Sequence, residues 1–326
     1  MTIRNPLAGL AAAGLLSFGV LSAQAEPLHV GIANFGEHPQ LAQAVNGFKA
    51  ALTDAGYAEG TDITYTESHT NFDTTLLPQM IARLQSEQPD LLYVITTPVA
   101  QIAKNALKDD DTPIVFSAVT DPVAANLVPS WDVGDTTMTG ASDLQDIAAI
   151  LTFAKALLPG ATRLGVPYNP GEANDVALLD KIKAEAATAG FEVVGVGVDN
   201  VNDIQQRITS LTGKADVIYV PASNLIQPAI AAVAAAAREA GIPIINSDEG
   251  PVIQGIVPAS FAVNYSQVGN NAGRIAAQIL SGADPAGIAP VVPAYEDHAP
   301  VISSKSMANF GVEIPAAFAD CGCIIH

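Results

Sequence analysis

Pro89-Asp90-Leu91-Leu92-Tyr93-Val94-Ile95 is followed, after a helical stretch, by Thr112-Pro113-Ile114-Val115. Later in the chain Ala215-Asp216-Val217-Ile218-Tyr219-Val220 is followed, again after a helical stretch, by Ile242-Pro243-Ile244-Ile245. Each copy is a short apolar, β-branched run, a helix and a second such run, which is the repeating unit of a parallel sheet. The echo occurs once per half, and its period is too long for a solenoid. It therefore predicts an α/β protein of two facing, doubly wound (Rossmann-like) lobes.

Working outward, the first half reads as strands over Leu28 to Ala33, Ile63 to Glu67, Leu91 to Ile95 and Ile114 to Ala118. Helices are expected over Gln40 to Ala55, Thr74 to Glu87 and Val99 to Leu107. After Gly140 the series restarts, with helices over Asp143 to Leu158, Ala173 to Ala189, Val201 to Leu211 and Leu225 to Ala240. Strands are expected over Arg163 to Pro167, Glu192 to Val196, Val217 to Val220 and Ile244 to Asn246. The run Ala229 to Ala237 is an ordinary helix, since Ala has the best helix propensity and Pro228 and Gly241 bound it.

At the N-terminus, Arg4 precedes an apolar run from Leu7 to Leu21 that ends in Ala23-Gln24-Ala25, the small-x-small pattern of a secretory signal. Residues 1–25 are expected to be removed after Ala25, giving a periplasmic protein; no Cys follows the cut to carry a lipid. Removal takes Arg4 and no acidic residue, so the formal charge moves from −19 to −20. That charge opposes binding to nucleic acid or to anionic membrane surfaces. A chain of 326 residues is longer than one hydrophobic core usually organises, which agrees with two lobes. The only two cysteines, Cys321 and Cys323, can close a small ring or remain thiols; C-x-C alone lacks the ligand count of a structural zinc site.

Open parallel sheets bind ligands beyond the carboxyl ends of their strands, where helix N-termini present free N–H groups. In the first half those segments hold Asn34, Phe35, Glu37 and His38, then Thr96 and Thr97, then Ser117, Thr120 and Asp121. In the second they hold Tyr168, Asn169, Glu172 and Asn174, then Ser223 and Asn224, then Asp248. Thr97 and Asp121 each precede a proline suited to a first helical position, so both can serve as N-caps, and capping does not exclude ligand contact. Phe35 and Tyr168 are large rings in small polar loops, which suits stacking on a ligand better than core packing.

Walker A, H-E-x-x-H and G-x-S-x-G patterns are absent from the sequence, and the five histidines show no metal spacing. Binding without chemistry is the expectation, with no cofactor and no metal. A Ser-His-Asp set assembled in space, and so a secreted α/β enzyme, stays open as an alternative.

Glu37-His38-Pro39, Gly56-Tyr57-Ala58-Glu59-Gly60, Ala118-Val119-Thr120-Asp121-Pro122, Tyr168-Asn169-Pro170-Gly171-Glu172-Ala173-Asn174 and Tyr219-Val220-Pro221 stand in an order and spacing that run through most of the chain. In these pieces the sequence resembles the ABC-transporter substrate-binding proteins whose characterised members take up tryptophan and other aromatic amino acids. The resemblance implies a type I periplasmic-binding-protein fold in which the chain crosses three times between lobes. Lobe one would be 26–141 plus 265–284, and lobe two 142–264 plus 285–326. The hinge would lie near Ala141–Ser142, Val263–Asn264 and Ala283–Pro285.

It implies a monomeric receptor that closes on a small molecule, an amino acid, and presents it to a membrane permease. The ligand carboxylate would meet Thr96, Thr97 and Ser117, its ammonium Asp121, Glu172 or Asp248, and its ring would lie between Phe35 and Tyr168. Two departures stand out. Family members commonly carry Gly-Asp-Thr-Asp where this chain has Ser247-Asp248-Glu249-Gly250, and an acidic residue where it has Asn264 before Tyr265. A receptor for a purine-like base and a sensor subunit are the other readings the same residues allow.

Overall fold

The computed structural model describes residues 1–2 and 26–326, so the expected signal segment and its cut after Ala25 lie outside the described residues. The first layer contains β1 (Leu28–Asn34), α1 (Pro39–Asp54), β2 (Ile63–His69), α2 (Leu77–Ser86), β3 (Leu91–Ile95), α3 (Thr97–Ala106), β4 (Ile114–Ser117) and β5 (Met138–Gly140). The second runs through α4 (Ile147–Leu157), β6 (Arg163–Tyr168), α5 (Ala173–Ala186), β7 (Glu192–Gly197), α6 (Ile204–Thr209), β8 (Val217–Val220), α7 (Ile230–Ala240), β9 (Ile244–Asn246), α8 (Gly250–Ile253) and β10 (Ala259–Val263). Then come α9 (Tyr265–Leu280), β11 (His298–Ser303), α10 (Ser304–Ala308) and β12 (Ile324–Ile325).

The first sheet has the order β2-β1-β3-β4-β5, all parallel. The second has the order β12-β11-β10-β9-β8-β6-β7, with β11 antiparallel to β10. Counted from its own first strand, the parallel part of the second sheet repeats the order of the first. The sequence echo is thus the β3–α3–β4 unit of one sheet and the β8–α7–β9 unit of the other, and the fold is two doubly wound α/β layers. In both, the strand order reverses beside the first strand, so the loops after β1, β3, β6 and β8 form the two crevices.

Central strands are apolar on both faces because helices cover both, and all five residues of β3 are buried. Proline starts α1 at its first position, where the missing N–H costs nothing, and the His38 ring accepts from Gln40 N–H at 3.4 Å. Gly241, at φ 69°, ends α7 in the left-handed conformation that glycine tolerates. Two expected helices begin as 3₁₀ turns, Thr74–Leu76 and Val201–Asp203. The helix expected from Asp143 starts four residues later, because Asp146 caps it by accepting from Ala149 N–H. Among the described residues, no helix is long and apolar enough to cross a membrane.

The chain leaves the second sheet after β10 and packs α9 on the first, where Tyr265, Val268, Ala272, Ile275 and Ala276 join the core of Val30, Ile32, Phe48 and Tyr93. It then returns to form β11 and β12. The three crossing segments are knitted together. Ser142 N–H donates to Val291 O at 2.8 Å, Val291 N–H to Gly140 O at 2.9 Å, and Asn264 N–H to Asp297 O at 3.0 Å. Cys321 and Cys323 are joined beside β12.

Helices α1 and α9 touch backbone to backbone. A Cβ at Gly269 would lie 1.9 Å from Ala44 O, and one at Gly47 2.0 Å from Ser266 O. Gly269→Ala gains about 1 kcal/mol of helix propensity but must push a backbone carbonyl away, an overpacking cost of about 1–3 kcal/mol that lies at its upper end when no side chain can yield. We expect urea denaturation to show a net loss of about 2 kcal/mol. Gly287→Ala, with nothing within 4 Å of its added carbon, should change stability by less than about 0.5 kcal/mol.

Candidate ligand-binding cleft

The two layers face each other across the loops at their strand ends, and the cleft between them is shut. His38 Nε2 from the first lies 3.9 Å from Asp248 Oδ2 of the second, and Asp121 Oδ2 lies 3.2 Å from Lys181 Nζ. Ala173, at the start of α5, packs against the first-layer core that contains Phe35. Two cavities remain. An inner one of about 30 Å³ is bounded by His38, Leu41, Phe72, Ser223, Gln227 and Tyr265. An outer one of about 510 Å³ is bounded by Phe35, Phe72, Pro98, Asn169, Glu172 and Leu225, with Asn224 on the wall of both.

Two acids lie behind the wall of the inner cavity, Asp143 behind Tyr265 and Asp248 behind His38. Asp143 lies in the first crossing segment, where the cap at Asp146 keeps it out of α4, and is 4% exposed. Its carboxylate accepts from Tyr265 OH at 2.5 Å and Thr120 OH at 2.9 Å. Asp248, also 4% exposed, accepts from Gly250 N–H at 2.9 Å. Burial pushes both carboxyls above the ordinary carboxylate value. Among the described residues no lysine or arginine pairs with either. His38 stands beyond hydrogen-bond distance of Asp248, and burial pushes its pKa down, so the ring is held neutral. Burial, followed by the nearby Asp143, keeps the Tyr265 and Tyr219 hydroxyls protonated. Tyr219 donates to Gln145 Oε1, and Gln227 Nε2 donates to Asn246 Oδ1 and Ser247 Oγ, both at 2.9 Å.

The wall comes from the first layer. Thr96 holds φ at 82° and precedes α3, whose first residue is Thr97. Both hydroxyls are buried without a hydrogen-bond partner beside the free N–H groups of that helix end, an arrangement suited to a carboxylate. Beyond β2, Asn71 and Phe72 take φ values of 52° and 66°, a costly conformation for residues other than glycine. The turn is fixed by Phe72 N–H donating to Phe35 O at 2.9 Å and Thr70 OH to the same oxygen at 3.1 Å. This aims the Phe72 ring at Phe35, edge to face at 5.3 Å.

Of the residues expected from sequence, Phe35, His38, Asn169, Glu172, Ser223 and Asn224 border the two cavities. Thr96, Thr97 and Asp248 are placed as described above, and Thr120 holds Asp143. Asn174 is 4% exposed, with its Oδ1 unpartnered. Asn34 and Glu37 line a separate open groove beside β2, where Glu37 lies 3.8 Å from His69.

Five of the expected residues are engaged with other groups of the protein. Tyr168 is partly buried and packs against the second-layer core, on the side of Leu164 and Val166 by strand alternation. Ser117 lies beneath the sheet surface with its hydroxyl 2.6 Å from Tyr93 OH. The Asp121 carboxylate caps Val123 and Ala124 N–H and pairs with Lys181. Glu172 is saturated by Asn169, Asn174, Asn224 and Leu225 donors and has little capacity for an ammonium. Asn264 is exposed and caps α9 through Gln267 N–H, so a missing charge there does not bear on the cleft.

Phe72, Asp143, Gln145, Gln227 and Tyr265 were not singled out from sequence. Phe72 was accessible by the criterion applied to Phe35, a ring in an otherwise polar turn. Asp175, 1% exposed in the first turn of α5, is another; burial and then Glu172 push its carboxyl well up.

Comparison with known proteins places this geometry. The chain is 39% identical over 254 residues to a tyrosine-binding protein of Clostridioides difficile, covering 78% of this chain and 73% of that one. A Streptococcus pneumonia ABC domain in complex with L-Trp superimposes with a TM-score of 0.85 at 28% identity, covering 92% of this chain and all of that one. A ligand-free, open substrate-binding protein from Clostridium difficile is more similar in sequence, at 33%, yet fits less well, with a TM-score of 0.69 over 89% of this chain and 96% of that one. A family model described as ABC transporter substrate binding protein matches residues 29–320, and the chain belongs to that family.

Proposed function

We propose that the protein captures a free aromatic amino acid between its lobes and delivers it to the permease of an ABC importer. The observation that carries this reading is the pair of buried carboxylates, Asp143 and Asp248, which among the described residues have no lysine or arginine partner and stand directly behind Tyr265 and His38 on the wall of the inner cavity. A ligand ammonium supplies the absent positive charge. Its carboxylate meets the Thr96 and Thr97 hydroxyls and the N-terminus of α3, and its ring lies against Phe72. A nucleobase would bring no ammonium to the two acids. The lobes, 26–141 plus 265–284 and 142–264 plus 285–326, turn about the three crossing segments, and the segment ending at Ala25 directs export and is then removed. The tyrosine-binding and L-Trp-bound relatives support the ligand class.

Titration calorimetry of the purified protein against L-tyrosine, L-tryptophan, L-phenylalanine, adenine and guanine tests it. An aromatic amino acid should bind and the bases should not. Asp248→Asn removes a charged partner worth about 1.5–3 kcal/mol, roughly a ten- to hundredfold loss of affinity. Phe72→Ala removes an aromatic contact worth about 1 kcal/mol, roughly fivefold. Binding of adenine alone, or unchanged affinity in both variants, contradicts the reading.

The pH dependence has a definite sign. A carboxyl whose pKa is raised by folding contributes stability that is full below its unfolded value of about 4 and is lost as pH rises through the raised folded value. The ligand-free protein therefore loses the Asp143 and Asp248 contributions on going upward from about pH 4, and a bound ammonium restores them. The ligand-induced rise in Tm should grow over that window, and grow less in Asp248→Asn. Differential scanning calorimetry checks this, and an increment independent of pH contradicts it.

A further inference from the structure

Among the described residues two contacts between oppositely chargeable groups join the layers, His38 with Asp248 beside the inner cavity and Asp121 with Lys181 away from both cavities. The first needs a charged imidazole in a buried place, so the second is the one that stands at neutral pH. Its acid is held rigidly, with the side chain 8% exposed and one carboxylate oxygen accepting from Val123 N–H at 3.1 Å and Ala124 N–H at 2.9 Å. The other oxygen faces Lys181 Nζ at 3.2 Å. Lys181 stands on α5, the helix whose first residue packs against the Phe35 core, roughly 12 Å along its axis from that contact. Neither residue borders the inner or the outer cavity.

We propose that Asp121 and Lys181 form a latch that holds the closed form from outside the cleft and sets the rate of solute release without touching the solute. The two residues belong to different layers, and the backbone pins one of them. Any rotation that opens the cleft at α5 separates the charges and leaves a mostly buried carboxylate without its cation. A contact present only in the closed state multiplies the closed-to-open ratio, and so scales apparent affinity for whatever the cleft holds. Because opening precedes escape, the effect falls on dissociation. Lys181 is about one-third exposed, so salt weakens the latch and its effect is modest.

The latch rests on the closed-cleft reading but not on the identity of the solute, and the test separates the two. Stopped-flow release of L-tryptophan or L-tyrosine would be measured for the wild type, Lys181→Met, Asp121→Asn, the double variant and Lys181→Arg. Asn keeps the capping oxygen and removes only the charge. We expect dissociation about three- to tenfold faster in each single variant, no faster in the double, and largely restored by arginine. The difference from wild type should shrink as salt is raised.

Small-angle scattering of the same variants without solute should show a larger radius of gyration than wild type in matched buffer. If Asp121→Asn speeds release while Lys181→Met does not, Asp121 meets the solute directly and the latch is wrong. Additive effects in the double variant overturn it as well. If neither amino acid binds, the ligand assignment fails and the scattering decides alone, with unchanged radii in both single variants overturning the latch.

Discussion

A carboxylate buried without a cation organises this molecule. Removing an ion from water costs several kcal/mol even after relaxation, and each hydrogen bond to a charged group returns about 1.5–3 kcal/mol. Asp143 makes two such bonds through its side chain, to Thr120 and Tyr265, which offset much of that cost. Those partners come from the turn after β4 and from the first residue of α9, while Asp143 itself lies in the first crossing segment. Satisfying one carboxylate therefore fixes the relation of two crossings to the first sheet. The remaining charge sets the potential behind the inner cavity, where Asp248 adds to it.

The walls are under a complementary tension. The Thr96 and Thr97 hydroxyls are buried without partners, at about 1–3 kcal/mol each, and Asn71 and Phe72 hold left-handed conformations. A solute with an ammonium at one end, a carboxylate beside it and a ring beyond relieves the polar penalties at once. It does so only when both layers contact it. On the proposed reading, the preference for the closed form is built from unsatisfied groups of both layers. The Asp121–Lys181 pair adds a smaller preference that does not depend on what is bound.

Much of this was legible in the sequence because the parallel sheet fixes where strand ends lie. The echo between 89–95 and 215–220 gave the two sheets, and their shared strand order follows from each half repeating the same unit. Strand-end loops then put Phe35, His38, Ser223 and Asn224 on the cavity walls, with Thr96 and Thr97 just before Pro98 and with Asp248 beside His38. Differences between sequence and structure have local causes. Tyr168 is the last residue of β6, and Leu164 and Val166, four and two residues before it, place it on the core side by alternation. Asp143 and Gln145 were absorbed into a helix that Asp146 begins later. Phe72 follows a strand at the sheet edge, away from the switch point. The pairing of Asp121 with Lys181 was not legible, because it joins segments about 60 residues apart and from different layers.

A crystal structure of the protein with L-tryptophan or L-tyrosine bound tests the central claim most directly. The account predicts the ammonium within roughly 3 Å of the Asp248 carboxylate. It also predicts the carboxylate at Thr96, Thr97 and the start of α3, and the ring against Phe72, with contacts from both layers. A ligand that touches one layer alone, or that places its ring at the two acids and its ammonium at the mouth, would contradict it.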